Sequence, residues 1–228
     1  MSKRLAVVWV LFLLAALAAS AGDVAQFVNL GFSKDARYFM FGQFGIAQKD
    51  STAWADTFIV DVPANSFVSK GTKKIVGTQP VDPGANGLGA LLIALSDGLS
   101  RTNQLRIDHL STGRLLYVLL DGAQAADALE FRDFQSGRSY KIVMTQTAGT
   151  GEAAASFVIS IAVTEKDGSS RLFNAGDPSF TRKGVKGYHI KQIILAPDGA
   201  SLVFIVQKEE QDTTGNNIRY MVETARPK

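Results

Sequence analysis

Apolar residues recur at every second position over much of the chain that follows residue 22. The longest example runs from Phe157 to Val163, and a second runs from Tyr140 to Thr145. Alternation with period two is typical of strands that bury one face. Asp167-Gly168 follows the first of these stretches and is typical of a two-residue hairpin loop, because both residue types tolerate positive φ. The pattern therefore predicts a mainly β chain built from antiparallel strands.

Three stretches are apolar on both faces, at Tyr38 to Phe41, Leu115 to Leu120 and Leu202 to Val206. A strand without a polar side needs a packed layer on each face. Propeller blades satisfy this requirement because neighbouring blades cover them, and a sandwich satisfies it if a helix lies on one outer face. The sequence therefore predicts a propeller-like or a sandwich arrangement and leaves the choice between them open.

A strand, turn and strand pattern occurs twice, at residues 31–41 and 194–204, so that Asp35 aligns with Asp198. In both copies the Asp side chain is expected to accept hydrogen bonds from backbone groups just ahead of it. The pattern looks like the F-S-x-D-G-x-x-L-x-F hairpin of propeller blades of the TolB kind. A closed propeller should contain about four or more such copies, and the chain shows two.

The residue after each Asp is expected to adopt positive φ, which glycine tolerates best. Gly199 fits this expectation, whereas Ala36 would lose about 1 kcal/mol or more in the left-handed region, so the first turn either has another geometry or is slightly strained. If both turns need positive φ after Asp, Ala36→Gly is predicted to stabilise the protein and Gly199→Ala to destabilise it.

One segment follows a helical period instead. Leucines at helical spacing predict an inserted amphipathic helix from about residue 86 to residue 110, with a break near Asp97-Gly98. Its polar face is not enriched in Lys and Arg, which favours a cover packed on the sheet over a membrane or partner helix. The leucines of this stripe are Leu88, Leu91, Leu92, Leu95 and Leu99, and Leu110 continues it loosely.

The N-terminus has the three parts of a secretory signal peptide. Lys3 and Arg4 precede an apolar run from Leu5 to Ala18, and Ala19-Ser20-Ala21 is a small-x-small cleavage pattern. The run is shorter than the 20 or so apolar residues that a membrane anchor needs. We expect residues 1–21 to be removed and residues 22–228 to form a single β-rich domain, secreted or periplasmic, without stable membrane insertion.

Composition limits the remaining possibilities. The chain has no Cys, so an exported domain must rely on a hydrophobic core in place of disulfides. The formal charge of +3 includes Lys3 and Arg4, and removal of these two cations leaves the mature chain near +1. A balance this close to neutral argues against nucleic acid or an anionic membrane surface as the main partner.

The chain also resembles a bacterial family of predicted secreted proteins of unknown function, with an F-S-x-D-x-x-Y-x-x-F motif at Phe32 to Phe41. The resemblance implies export and assigns no functional residue. The stretches that carry it are residues 27–35 and 37–45, Gly187-Tyr188 and residues 217–222.

Catalytic and metal-binding motifs are not visible in the sequence. With no Cys and only His109 and His189, thiol catalysis and His-rich metal sites are excluded, and both His residues are expected at the surface. The chain has no G-x-S-x-G elbow and no phosphate-binding G-x-x-x-x-G-K-[ST] loop. We therefore predict neither a cofactor nor a metal.

Two functions remain open. The first is a binding or interaction module for a protein or small ligand, with Trp54, Arg219 and Tyr220 as candidate contact residues and Trp54 placed in a polar loop. The second is a hydrolase whose Ser- or carboxylate-based site forms only on folding. An exposed pocket with two carboxylates or a Ser–His contact would favour the hydrolase.

Overall fold

A computed structural model describes residues 21–148, 154–212 and 215–226. The chain within these ranges is mainly β, as predicted, and one helix, α1 (Leu88–Gln104), is inserted between strands. The predicted signal peptide lies almost wholly outside the described residues. The strands are β1 (Ala21–Val24), β2 (Gln26–Ser33), β3 (Tyr38–Ile46), β4 (Thr52–Asp61), β5 (Ser66–Phe67), β6 (Lys73–Pro80), β7 (Ile107–Asp108), β8 (Arg114–Val118), β9 (Ala128–Arg132), β10 (Ser139–Ala148), β11 (Ala154–Thr164), β12 (Ser170–Ala175), β13 (Arg182–Lys183), β14 (Val185–Leu195), β15 (Leu202–Asp212) and β16 (Gly215–Ala225).

These strands form three sheets. The helix-covered sheet has the order β5-β4-β3-β2-β7, with β6 also paired to β4. The central sheet has the order β1-β16-β15-β14-β8, and the outer sheet has the order β12-β11-β10-β9, with β13 also paired to β11. Most pairs are antiparallel, while β1 runs parallel to β16.

The central sheet is packed on both faces, and β15 shows this directly. Leu202, Phe204 and Val206 point into a core shared with the outer sheet. Val203 and Ile205 point into a second core shared with the helix-covered sheet. Successive side chains of a strand point to opposite faces. The two-sided burial predicted for this stretch, and for Tyr38 to Phe41, is therefore confirmed in the form of stacked layers.

Three stacked sheets exceed the two layers of a simple sandwich and fall short of the four or more blades of a closed propeller. The prediction of antiparallel strands arranged in layers is thus confirmed for the described residues. The open choice between sandwich and propeller resolves into a three-sheet stack with a helix on one outer face.

The stretch from Leu115 to Leu120 is not buried on both faces, so that part of the prediction is wrong. Leu115, Val118 and Leu120 are exposed. The reason is the position of β8 at the edge of the central sheet, where it pairs with β14 alone among the described strands. An apolar run does not reveal whether its strand lies at an edge.

The helix is shorter than predicted and is unbroken at Asp97-Gly98. It ends at Gln104 because Arg106 adopts positive φ, and residues 107–108 then pair with β2. As predicted, α1 packs on one face of a sheet, but the residues that make this contact are mostly small. The buried residues of the helix are Ala90, Leu91, Ala94, Gly98 and Thr102, whereas Leu88, Leu92 and Leu99 are exposed.

The two copies of the repeat form equivalent hairpins, β2–β3 and β14–β15. Ala36 N–H donates to the Ser33 carbonyl at 2.8 Å, and Gly199 N–H donates to the Ala196 carbonyl at 3.0 Å, so both turns close at the same position. Ala36 and Gly199 both adopt positive φ, at 55° and 68°. The Asp side chains also act as predicted. Asp35 accepts from Arg37 N–H, and Asp198 accepts from Ala200 N–H and Ser201 N–H.

Gly199→Ala is expected to lower the free energy of unfolding by about 1 kcal/mol, because the added methyl meets no atom within 4 Å and only backbone strain remains. For Ala36→Gly the buried position of the methyl group changes the expectation from stabilisation to a free energy of unfolding within about 0.5 kcal/mol of wild type. Release of strain is there offset by loss of a methyl group that is buried in the core and by the greater freedom of glycine in the unfolded chain. Urea unfolding of both variants measures the difference. A loss for Ala36→Gly as large as that for Gly199→Ala would contradict the strain argument.

Candidate functional site

A cleft of about 510 Å³ lies where strands of all three sheets come together. Its floor is formed by β16 and the neighbouring end of β15, and its two walls come from the helix-covered sheet and from the segment around β13. The lining residues are Phe41, Gln43, Asp56, Phe58, Val60, Asn65, Ser66, Phe67 and Lys74 on one wall, Phe180 and Arg182 on the other, and Lys208, Glu210 and residues 219–223 on the floor.

Two amide side chains hold β16 against the helix-covered sheet. The Gln43 side-chain oxygen accepts a hydrogen bond of 2.8 Å from Tyr220 N–H. The Asn65 side-chain oxygen accepts one of 2.7 Å from Thr224 N–H. Pairing with β1 reaches Ile218 and does not extend to these positions. Side chains therefore take the place that a neighbouring strand would occupy along this part of the β16 edge.

Arg219 is fixed by contacts on several sides. Its guanidinium lies 4.2 Å from the centre of the Trp54 ring, and one of its nitrogens is 3.1 Å from an Asp23 carboxylate oxygen. A cation over an indole face is attracted by the ring quadrupole. Arg219 therefore faces the cleft in a defined position, with Trp54 behind it.

Trp54 does not lie in a polar loop, so that prediction is wrong. It is the third residue of β4, only 8% exposed, and belongs to the core between the helix-covered and central sheets. The polar turn before it closes early because Asp50 accepts hydrogen bonds from the N–H and the hydroxyl of Thr52. Trp54 supports the cleft through Arg219 and does not line it.

Two phenylalanine rings stand on opposite walls of the cleft. Phe67 and Phe180 are each 57% exposed. Phe67 ends a row of rings that begins in the core, with centroids 4.9 Å apart from Phe41 to Phe58 and 5.4 Å apart from Phe58 to Phe67. Phe180 lies 4.8 Å from the Arg182 guanidinium. Both exposed rings are thus supported from behind by packed groups.

The charged groups of the cleft are mixed in sign, with four cations and three carboxylates. Asp56 accepts a hydrogen bond of 3.2 Å from the Gln43 amide, and Glu210 pairs with Lys208 at 2.6 Å. Lys74 makes no ion pair within 4.0 Å among the residues that the structure describes. The cleft therefore carries a small positive excess and internal partners for its carboxylates.

Glu223 is the most buried of these carboxylates, with 7% of its surface exposed. Asn65 donates a hydrogen bond of 2.5 Å to it, and an Arg182 nitrogen lies 3.6 Å away. Burial raises the pKa of Glu223, while the Asn65 hydrogen bond and the Arg182 charge act in the opposite direction. Loss of water from around the charged form is thus the dominant effect at this carboxyl.

We expect Glu223→Gln to raise the melting temperature near neutral pH. A carboxyl whose folded pKa is raised contributes stability below its unfolded pKa, near 4, and that contribution disappears as pH rises through the folded pKa. Above that range the buried, ionised Glu223 lowers the free energy of unfolding, and a neutral Gln removes this loss. Thermal unfolding between about pH 4 and pH 8 should show the variant's advantage growing with pH.

Glu210→Gln is the control, because it removes another carboxylate from the same cleft at a half-exposed position. A Glu223→Gln protein that is less stable than wild type near neutral pH, and closest to it in acid, would show that the ion pair with Arg182 outweighs burial.

The structure brings together two of the three contact residues predicted from the sequence, Arg219 and Tyr220. Both lie on β16, and Tyr220 is largely buried. The turn residues Asp35, Ala36, Asp198 and Gly199 do not line the cleft. Sequence reasoning missed five lining residues, which are Asn65, Phe67, Phe180, Arg182 and Glu223. The only signal for them in the sequence was a Phe next to polar turn residues.

The other candidate groups lie elsewhere. His109 is exposed in the turn after β7, where its Nδ1 is 2.6 Å from the Leu30 carbonyl oxygen. No group of three acidic or His residues with metal-site geometry occurs in the described part of the chain. No helix in residues 21–148, 154–212 and 215–226 is long and apolar enough to cross a bilayer.

Comparison with known families gives one match. A family model with the description "Predicted secreted protein (DUF2259)" matches residues 40–226, which include every residue of the cleft. Searches of curated proteins and of solved structures gave no significant match.

Proposed function

The chain belongs to this DUF2259 family of predicted secreted proteins, and from that premise we propose that it is an exported binding module whose ligand occupies the cleft. Export would place it in the periplasm or outside the cell after cleavage behind Ala21. The bound molecule is a small ligand or a segment of a partner protein that contacts both aromatic walls.

The exposure of Phe67 and Phe180 carries this proposal. Each ring leaves more than half of its surface in water, although both are held in place by packed neighbours. Binding sites combine exposed apolar surface with a few fixed polar groups. The cleft has the volume of a typical ligand site, and Arg219 and Gln43 are already ordered by contacts with Trp54 and Tyr220.

Substitution of the two rings tests the proposal. Native mass spectrometry of protein purified after export should detect a bound molecule on wild type and its loss from the Phe67→Ala, Phe180→Ala double variant. Phe134→Ala is the matched control, because Phe134 is 89% exposed and lies outside the cleft. If the protein carries no ligand and gains no thermal stability from peptide, carbohydrate or lipid libraries, the proposal fails.

Export itself is tested at the N-terminus. Gly22 lies so close to β16 that a Cβ would stand 2.0 Å from the Asn216 carbonyl oxygen, so residue 22 belongs to the folded sheet. Cleavage after Ala21 would leave that strand almost complete. Mass spectrometry of the exported protein should show a chain that begins at Gly22, and a chain that keeps residues 1–21 would contradict cleavage.

A hydrolase remains the second candidate because Asp56, Glu210 and Glu223 line one cleft. Glu223, with its raised pKa, would be the general acid and Asp56 the second carboxylate. Both carboxylates already accept hydrogen bonds from amide side chains, and for this reason we rank the binding function above the hydrolase. A hydrolase predicts turnover of some ester, peptide or glycoside that Glu223→Gln abolishes while ligand binding persists. A pure binding module predicts no such loss.

A further inference from the structure

One edge of β16 borders the cleft, and its backbone direction can be read from three hydrogen bonds. The Ile218 carbonyl accepts from Ala25 N–H at 3.1 Å. Tyr220 N–H and Thr224 N–H donate to Gln43 and Asn65, which also lie outside the β15–β16 ladder. N–H and C=O groups of a strand alternate between its two edges. The even-numbered residues from 218 to 224 therefore direct their backbone groups away from β15.

Val222 falls in this series, between Tyr220 and Thr224, and it lines the cleft. It lies opposite Ile205 of β15, and because it belongs to the even-numbered series this is a pair without hydrogen bonds, in which the Val222 N–H and C=O point to the other edge. No described residue makes a hydrogen bond to these two groups outside that ladder. Buried backbone groups are almost always paired in folded proteins. The Val222 N–H and C=O are thus a donor and an acceptor available at the floor of the cleft.

The side chains on either side define how much of the edge is open. Gln43 occupies the position of a neighbouring strand at Tyr220, and Asn65 occupies it at Thr224. Four residues of strand span about 13 Å at about 3.3 Å per residue. The stretch of edge left between these two side chains is shorter than that span and is centred on Val222.

We propose that the ligand of the cleft is an extended peptide segment that adds to the free edge of β16 by pairing with the N–H and C=O of Val222. The inference rests on the proposed binding function and names its ligand class. A peptide unit supplies the donor and the acceptor that Val222 requires, as in other complexes formed by β-strand addition. Side chains that project from such a peptide would reach the Phe67 and Phe180 rings on the two walls.

Peptide pools that differ only in backbone N–H groups test this pairing. The exported protein, labelled with ¹⁵N, is titrated with a pool of random hexapeptides and with a matched pool that is N-methylated at alternate residues. The unmodified pool should slow hydrogen exchange of the Val222 amide about tenfold or more, and peptides recovered from it should bind about tenfold more tightly than their N-methylated forms. The Tyr220 and Thr224 amides are internal controls, because they are already bonded.

Val222→Pro provides a second test. It removes the outward N–H and leaves the β15 ladder, since proline is tolerated where a strand N–H faces away from its neighbour. The variant should lose peptide binding about tenfold at matched folding by circular dichroism. If its fold is disturbed, the Val222 amide exchange in wild type still decides the question.

The outcomes separate this inference from the proposed function. Peptide binding that leaves Val222 exchange unchanged and tolerates N-methylation would overturn strand addition and leave a binding cleft. Binding of a non-peptide molecule that depends on Phe67 and Phe180, with no response to either pool, would do the same. Absence of any ligand that depends on these rings would remove the proposed function as well.

Discussion

Phe204→Ala is expected to lower the free energy of unfolding by about 4 kcal/mol, the range for removing a large side chain from a packed core. Phe204 is fully buried near the start of β15, on the face that packs against the outer sheet. Its removal would leave a cavity between the central and outer sheets, and the two sheets cannot move together far enough to fill it. Chemical denaturation followed by circular dichroism measures the loss.

Phe134→Ala is the matched control for this prediction. It makes the same chemical change at a ring that is almost entirely exposed, and the expected effect is within about 0.5 kcal/mol of wild type. A Phe204→Ala protein that loses less than about 1 kcal/mol would show that the central and outer sheets do not share one tightly packed core.

Gly31→Ala is expected to cost about 3 kcal/mol, from two effects that add. Gly31 adopts a φ of +97°, where a residue with a Cβ is strained. A Cβ at this position would also stand 2.2 Å from the Asp108 carbonyl oxygen, so β7 would have to move away from β2. Thermal and urea unfolding of the variant should show the loss.

Gly168→Ala separates the two effects. Gly168 has a similar φ of +86°, but a Cβ there would meet no atom within 4 Å. Strain alone should cost about 1 kcal/mol at this position, so the remainder of the Gly31→Ala loss measures the contact with Asp108. Equal losses in the two variants would mean that β7 yields without cost and that the close approach is not a constraint.

Local patterns predicted much of the fold. The alternation at Tyr140 to Met144 and at Phe157 to Val163 assigned the buried faces of β10 and β11 correctly. The repeated Asp turns occur as predicted. A hairpin also forms at Asp167-Gly168, but Glu165 N–H donates to the Ser169 carbonyl, so its loop has three residues in place of the predicted two. These features depend on neighbours within a few residues, whose side-chain direction and φ preference are properties of the sequence itself.

The helix shows where such reasoning ends. A leucine stripe predicted the buried face, yet Leu88, Leu92 and Leu99 are exposed, and Ala94 and Gly98 are buried. Small residues allow the helix to lie close to the sheet below it. Which side of a largely apolar helix faces inward depends on the shape of the surface it meets, and that surface comes from distant strands.

The candidate site was accessible to sequence reasoning only in part. Arg219 and Tyr220 were predicted as contact residues and do line the cleft, whereas Trp54 supports Arg219 from the core. The contacts that form the cleft join residues far apart in the chain, such as Gln43 with Tyr220 and Asn65 with Thr224. No local pattern encodes those pairs.

The sequence by itself determined the strands, their buried faces, the turns and the resemblance to exported proteins. Tertiary structure decided that three sheets stack, that β8 is an edge strand, and that part of the β16 edge stays open beside two exposed rings. The physical reason is that periodicity records whether a residue is buried against something, while the identity of its neighbour depends on strand pairing and layer packing over the whole chain.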